Sequence, residues 1–249
     1  MNIHVELEKR LLEQPFTLES DRLNEFRQLA IHYAQVENAI AVLSDMKANT
    51  SFICYGGLAT RLGIHFQHRT QDVDSIWEEE IFSCIHPLDL EGKHLEELRF
   101  YHFVMSVPIE KRGDYYLHSH LNMKDSAGEY VNVLHRMFYL SYDTNGCARF
   151  ALCLYNLSFA DEFDHLIVNS LTGETLCPDT CSCDDILSNR EVEILRLIEK
   201  GLKSKEIASE LFISINTVNR HRQNILKKLQ ASNSIEACRS AKSLKIIYG

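Results

Sequence analysis

LSNREVEILRLIEKGLKSKEIASELFISINTVNRHRQNILKKL, residues 187–229, is the stretch that decides the fold of the C-terminal part of the chain. Ser188 can cap a first helix, and Glu191 three residues later completes a capping box. Gly201 predicts the end of that helix, because glycine is preferred just past a helix C-terminus. A second, short helix begins at Ser204. The stretch therefore predicts a series of short helices separated by tight turns.

The third predicted helix, Ile215 to Leu229, is amphipathic and basic. At about 100° per residue, Val218 and Ile225 fall on one apolar side with Leu229. Two helices joined by a tight turn, the second longer and basic, form the helix-turn-helix pattern. The side chains predicted to contact DNA are Ser214, Asn216, Thr217, Asn219, Arg220, Arg222, Gln223, Asn224, Lys227 and Lys228.

These residue types suit the reading of a DNA duplex. Arginine can pair with guanine, and asparagine or glutamine with adenine, through the base edges exposed in the major groove. Thr217, Arg222, Asn224 and Lys228 flank the central stripe and are expected to reach phosphates, which position the protein on the duplex. A solvated surface face is the alternative interpretation.

The quoted stretch resembles the LuxR-type helix-turn-helix family, and the resemblance extends from Ile186 to about Ile247. It implies an all-α four-helix domain that binds double-stranded DNA in a bacterial transcription regulator, with the last helix, Ser234 to Ile247, implicated in dimerisation. The family usually has lysine where this chain has Asn219, so Arg220 and Arg222 are expected to supply the charge. The matching positions are Leu187, Arg190, Glu191, Gly201, Lys205, Glu206, Ile207, Ala208, Leu211, Ser214, Thr217, Val218, His221, Ile225, Lys228 and Leu229.

The formal net charge of −9 is unevenly distributed. Residues 186–249 hold 12 Lys and Arg against 6 Asp and Glu, a net charge of +6, whereas residues 1–185 hold 14 against 29, a net charge of −15. This asymmetry favours an acidic body that carries a basic, DNA-facing module. A solvated fluctuation of surface charge is the alternative.

Upstream of this module, the pattern changes to that of an α+β domain. Two short apolar runs within residues 37–56 suit strands bounded by turns, and His86-Pro87 marks the start of a long helix. Three strand-like runs follow, DYYLHSHLNMKD, GEYVNVLHRMFYLSYD and ARFALCLYNLSFAD, joined at Asp125–Gly128 and Asp143–Gly146 by hairpin-type turns. An antiparallel sheet with flanking helices is therefore predicted.

This order of elements resembles the PAS domain family. The resemblance is carried by AIAVLSDMKANTSFICYGGLATRLGI, by HPLDL and by GEYVNVLHRMFYLSYDTNG. It divides the chain into an N-terminal helical extension (1–35), a PAS-like domain (36–160), a linker without periodicity (161–185) and the helix-turn-helix domain (186–249).

The resemblance implies that the PAS-like domain senses a small molecule or mediates dimerisation. The alternative is a ligand-free interaction platform, with the helix-turn-helix docking on RNA polymerase as a sigma-like module. A homodimer is expected because a twofold operator requires two reading helices. The helix predicted at Ser20 to Tyr33, with Leu23, Phe26, Ala30 and Tyr33 on one stripe, is a candidate interface. So is the last helix, with Ala237, Ala241 and Leu244.

Catalytic, metal and membrane functions have no support in the sequence. GxSxG, GxGxxG, P-loop and HExxH patterns are absent, so neither an enzyme nor a cofactor is predicted. Cys177, Cys181 and Cys183 lack the usual paired spacing of zinc ligands. His118 and His120 alternate onto one face of a strand and are expected to be surface or core histidines. With no apolar run of about 18–20 residues and no secretory signal, a cytoplasmic protein with reduced thiols is expected.

Overall fold

The computed structural model describes residues 3–17, 22–159, 164–178, 187–229, 231–243 and 247. Its strands are β1 (Ile40–Asp45), β2 (Thr50–Tyr55), β3 (Thr70–Val73), β4 (Tyr115–Lys124), β5 (Tyr130–Tyr142), β6 (Ala148–Leu157), β7 (Leu166–Asn169) and β8 (Thr175–Leu176). Its helices are α1 (Ile3–Leu12), α2 (Leu23–Val36), α3 (Gly57–Arg61), α4 (Glu79–Phe82), α5 (Pro87–Ser106), a 3₁₀ helix (Ile109–Asp114), α6 (Asn189–Glu199), α7 (Ser204–Glu210), α8 (Ile215–Lys228) and α9 (Ser234–Ser243).

The strands form one antiparallel sheet in the order β3-β2-β1-β6-β5-β4-β7-β8. The two predicted hairpins are present, and each ends its turn with a glycine of positive φ, 88° at Gly128 and 78° at Gly146. Only glycine adopts this conformation without strain. The α+β fold class of the N-terminal part is confirmed.

One face of the sheet is covered by α2. Phe26, Ala30 and Ala34 of this helix pack on Leu43 and Phe150 of the central strands, and the Phe26 and Phe150 rings meet edge to face at 5.2 Å. Two residues of the predicted stripe of α2, Phe26 and Ala30, are therefore occupied within their own chain, whereas Tyr33 is exposed. A dimer interface on α2 stays a prediction, and Ser20 and Asp21, the expected caps, lie outside the described residues.

The other face of the sheet is covered by α1 and α5. His86 caps α5 by accepting a hydrogen bond from the backbone N–H of Leu88, as the predicted break at His86-Pro87 requires. Leu98 and Tyr101 of α5 are fully buried in the same apolar cluster as Leu7 of α1. This cluster continues into the C-terminal helices, so the two parts of the chain share a core.

The predicted absence of structure between residues 161 and 185 is wrong for part of that range. β7 pairs with β4, with Ile167 opposite Leu117, and β8 pairs with β7. Ile167 is fully buried. The runs are only four and two residues long, too short to show periodicity, and β4, the partner that places β7 in the sheet, lies about 50 residues upstream. The domain boundaries themselves stay a prediction.

A buried polar network joins α1 to α9. Arg10 forms an ion pair with Glu6 at 2.7 Å and donates a hydrogen bond to Ser240 Oγ at 2.6 Å. The Ser240 hydroxyl donates in turn to Glu6 at 3.1 Å. All three residues are buried. Because every member has a partner, the network fixes how the N-terminal helix lies on α9.

A second ion pair lies beside this network. Lys9 binds Glu236 at 2.7 Å, and hydrogen bonds from Lys9 and Ser232 lower the pKa of Glu236 to about 2. Ala237 and Ala241, which were predicted for a dimer interface, are fully buried within the chain, and Leu244 lies outside the described residues. Among the residues described, no helix is long and apolar enough to cross a membrane.

Two buried histidines make the fold sensitive to acid. Burial and the Lys93 ammonium lower the pKa of His94 to about 3, and burial and Arg10 lower the pKa of His102 to about 3. Because these folded-state values lie below the ordinary value of 6.5, the unfolded chain binds more protons between the two. We therefore expect the stability present at neutral pH to be lost progressively as the pH falls from about 6.5 towards 3.

Urea unfolding followed by circular dichroism at several pH values measures this loss. The His94→Gln variant removes one titrating group and should show a shallower decline. A free energy of unfolding that stays level or rises from about pH 7 to about pH 5 would contradict the expected linkage.

Candidate nucleic-acid interface

The turn between α7 and α8 sets the direction of the reading helix. Ser214 caps α8 by accepting a hydrogen bond from the backbone N–H of Thr217 at 3.0 Å, and the two hydroxyls lie 2.8 Å apart. Phe212, with a φ of 53° and 95% of its surface exposed, turns the chain out of α7. Both hydroxyls lie on the exposed side of the turn.

The inner side of α8 is apolar, as predicted. Val218, Ile225 and Leu229 are buried in the apolar cluster that also contains Leu195 of α6 and Ile207 of α7. The first helix is capped as predicted too. Ser188 Oγ accepts from the Glu191 backbone, and the Glu191 carboxylate accepts from the Ser188 backbone at 2.8 Å. These contacts fix the rotation of α8 and therefore which residues it exposes.

The outer side of α8 presents most of the predicted DNA-contacting residues together. The side chains at these positions are exposed, and they form one continuous polar surface along α8 and its cap, here called the outer face. Its members are Ser214, Asn216, Thr217, Asn219, Arg220, Gln223, Asn224 and Lys227. Their contact with DNA stays a prediction.

The other two predicted residues have partners within the domain. Arg222 is half-buried and donates a hydrogen bond to Ser234 Oγ of α9 at 2.9 Å. Lys228 forms an ion pair with Glu191 of α6 at 2.7 Å, and 40% of its side chain stays exposed. Burial alone would raise the pKa of Glu191, but hydrogen bonds from Lys228 and Ser188 outweigh it and lower that pKa. Both cations support the domain in this arrangement, and their contact with phosphates stays a prediction.

Comparison with known families identifies the fold of this region. The family model described as bacterial regulatory proteins, LuxR family, matches residues 185–241. The C-terminal domain is of the LuxR type. The match contains the whole of α6, α7 and α8, together with the outer face, and it confirms the resemblance seen in the sequence.

Curated relatives match the same region. The oxygen regulatory protein NreC of Staphylococcus epidermidis is 37% identical over 84 residues, which are 32% of this chain and 38% of the relative. The fimbriae Z protein of Escherichia coli is 42% identical over 71 residues, 28% of this chain and 34% of that protein. The chain thus spans well under half the length of these relatives, and the likeness concerns the LuxR-type domain.

Solved structures align with a larger share of the chain, but the superposition of their backbones is poor. The VqmA dimer of Vibrio cholerae, described as showing DNA-binding mechanisms of LuxR-type receptors, covers 92% of this chain at 15% identity, with a TM-score of 0.30. Escherichia coli SdiA covers 99% at 17% identity, with a TM-score of 0.25. At these scores the backbones superpose too poorly to support a closer assignment.

The histidines and cysteines for which the sequence predicted no metal-binding role lie in different local environments. The His118 and His120 rings lie 5.3 Å apart on one face of β4, as alternation predicts. His120 contacts the Ser158 hydroxyl at 3.2 Å and accepts from the Asp164 backbone at 3.1 Å. Cys177 is half-buried, while Cys181 and Cys183 lie outside the described residues.

One buried polar cluster was not anticipated from the sequence. It lies between α5 and the sheet and consists of Glu78, Lys93, Glu97, His135 and Cys153, all at most 7% exposed. Burial and the Lys93 charge lower the pKa of His135, and burial and the Glu97 charge raise the pKa of Cys153. Burial raises the pKa of Glu78 to about 7. Lys93 and Glu97 are four residues apart on α5, a spacing common in surface ion pairs of helices, and the other members come from distant parts of the chain, so no motif could have revealed the cluster.

The adjacent lysines of α8 should differ in what they contribute to stability. Lys228→Ala leaves the 3%-exposed side chain of Glu191 without its cation, while the Ser188 backbone N–H still donates to it, and loss of a hydrogen bond to a charged group costs about 1.5–3 kcal/mol. Lys227→Ala, on the exposed side, should change the free energy of unfolding by less than about 0.5 kcal/mol. Urea unfolding of both variants measures the difference. Equal stability of the two variants would show that the ion pair contributes nothing.

Proposed function

We propose that this protein is a sequence-specific DNA-binding transcription regulator whose outer face enters the major groove. The observation that carries the proposal is the exposed polar surface of α8 within a LuxR-type domain. Arg220 and Gln223 lie one turn apart on it, with the geometry to reach neighbouring base edges. Asn219 adds a third group able to pair with bases, and Lys227 is proposed to contact a phosphate.

The distribution of net charge along the chain supports the same proposal. The net charge of +6 in residues 186–249 contrasts with −15 in the remainder, so the duplex is attracted to the C-terminal domain and repelled by the body of the protein. Each phosphate neutralised releases counterions, which makes binding dependent on salt.

A homodimer on a twofold DNA site is part of the proposal, because two reading helices about one DNA turn apart are the usual arrangement for this motif. Phe26 and Ala30 of α2 and Ala237 and Ala241 of α9, which the sequence suggested for the interface, are buried within the chain. The exposed side of α9, with Ile235 68% exposed, is the candidate surface instead.

The N-terminal domain is proposed to control the DNA-binding domain in response to a small molecule. Two features support this: the buried network of Glu6, Arg10 and Ser240 between α1 and α9, and a cleft of about 600 Å³ beside it. The cleft is lined by Lys9, Arg112, Lys227 and Glu236 among others. A ligand in this cleft changes the contact between the domains only if it binds one arrangement of the two domains better than another. A ligand-free platform and polymerase docking stay the alternatives. Both predict DNA affinity that no small molecule changes.

Arg220→Ala and Ile225→Ala should fail in different ways. With a binding site first selected from random DNA, Arg220→Ala should keep the stability of the protein and lose about 1–3 kcal/mol of specific binding free energy. Ile225 is 1% exposed, so Ile225→Ala should cost about 2–5 kcal/mol of stability through lost burial and a cavity. Arg196→Ala, an exposed arginine on α6, is the matched control and should change neither quantity. If neither Arg220→Ala nor Gln223→Ala changed the free energy of specific binding, the DNA would have to contact a surface other than the outer face.

Lys227→Ala tests the phosphate side of the outer face. It should weaken specific and random DNA alike and reduce the slope of log affinity against log salt concentration by about one. Titrations at several salt concentrations measure this slope. A change in base preference with an unchanged slope would show that Lys227 contacts base edges in the groove and not the phosphates.

A further inference from the structure

Three chemically different side chains meet beneath α5. Glu97 extends from α5, His135 from β5 and Cys153 from β6, and their carboxylate oxygen, ring nitrogen and sulfur all lie within 4.8 Å of one another. The register of the sheet explains part of this approach. His135 is opposite Tyr155 and Cys153 is opposite Met137, which makes His135 and Cys153 diagonal neighbours on one face.

The imidazole of His135 lacks a hydrogen-bond partner. The residue has no exposed surface, and neither ring nitrogen forms a hydrogen bond. Its Nε2 lies 3.7 Å from Glu97 Oε1, which is too long for a hydrogen bond. Buried polar atoms are almost always satisfied in folded proteins, because leaving one unpaired is costly. The imidazole therefore points to a partner that the polypeptide does not supply.

We propose that Glu97, His135 and Cys153 bind a zinc ion in the core of the N-terminal domain. Zinc binds thiolate, imidazole and carboxylate at distances of about 2.0–2.3 Å, and this mixed set of donors suits it better than the hard cations that prefer oxygen alone. Binding would draw the three donor atoms together by roughly an ångström, judged from those bond lengths. Three protein ligands leave one coordination position for water or a small donor molecule.

The surrounding charges are compatible with such an ion. One carboxylate and one thiolate neutralise a divalent cation, and the Lys93 ammonium nearby faces Glu78, whose pKa is raised by burial to about 7. Lys93 donates to Glu97 Oε1 at 2.7 Å, and Tyr155 donates to Glu78 Oε1 at 3.1 Å. Hydrogen bonds of this kind orient the carboxylate ligands of metal sites. Lys93 is therefore assigned as a positioning residue for Glu97.

The inference departs from the sequence-based expectation of no metal, and it is independent of the proposed DNA binding. A zinc ion here would connect α5 to the two central strands of the sheet. The cysteines at 177, 181 and 183 are a second possible source of bound zinc in the same chain, so the experiment must separate the two groups of thiols.

Metal content of the full-length protein gives the first measurement. Protein purified from zinc-supplemented culture should hold about one zinc per chain, as expected for one site. His135→Gln and Cys153→Ser should reduce the content at least tenfold. Cys147→Ser, a buried cysteine outside the cluster, and Cys181→Ser are the matched controls and should keep it. Zinc lost with Cys181→Ser and kept in Cys153→Ser would overturn the proposal.

A second measurement starts from the wild-type protein. The wild-type protein, freed of metal by a chelator and loaded with Co²⁺, should develop the near-ultraviolet absorption of a thiolate–cobalt bond, which Cys181→Ser should keep. Competition with a coloured chelator should show zinc affinity lowered about 10–100-fold by Lys93→Met, because the carboxylate loses its orienting hydrogen bond. Wild-type protein that holds no zinc and gives no thiolate–cobalt absorption would rule out the site.

Discussion

Both faces of strand β6 are buried, and this constraint determines where most of the helices lie. A strand in the middle of a sheet with two apolar faces needs a cover on each side. Phe150 faces α2 on one side, and Tyr155 lies with α1 and α5 in the cluster on the other. The cover formed by α1 and α5 is itself in contact with α9 and the end of α8. The position of the DNA-binding domain therefore follows from how the sheet is covered.

Local signals in the sequence predicted local structure well. The capping box of Ser188 and Glu191, the cap at Ser214 and the glycines at 128 and 146 all act within four residues of their own position, and the structure confirms each of them. Periodicity likewise identified the apolar side of α8, because that side is defined by rotation about a single helix axis. The outer face followed from it without knowledge of the tertiary structure.

Features that depend on distant partners could not be predicted in the same way. β7 was missed because four residues carry no periodicity, and only pairing with β4 makes them a strand. The contacts of Lys228 with Glu191 and of Arg222 with Ser234 were not anticipated either, since a helix wheel shows which way a side chain points but not which residue of another helix lies beside it. Glu97, His135 and Cys153 are tens of residues apart, and only the register of β5 and β6 beneath α5 brings them together.

The network of Glu6, Arg10 and Ser240 also bears on the order of folding. Arg10 and Ser240 are 230 residues apart in the chain, and a contact of such long range requires the closure of a large loop. Because α1 is synthesised before α9, Arg10 can pair with Glu6 of its own helix at a stage when Ser240 does not yet exist. The buried contact between α1 and α9 is therefore made only after α9 has been synthesised.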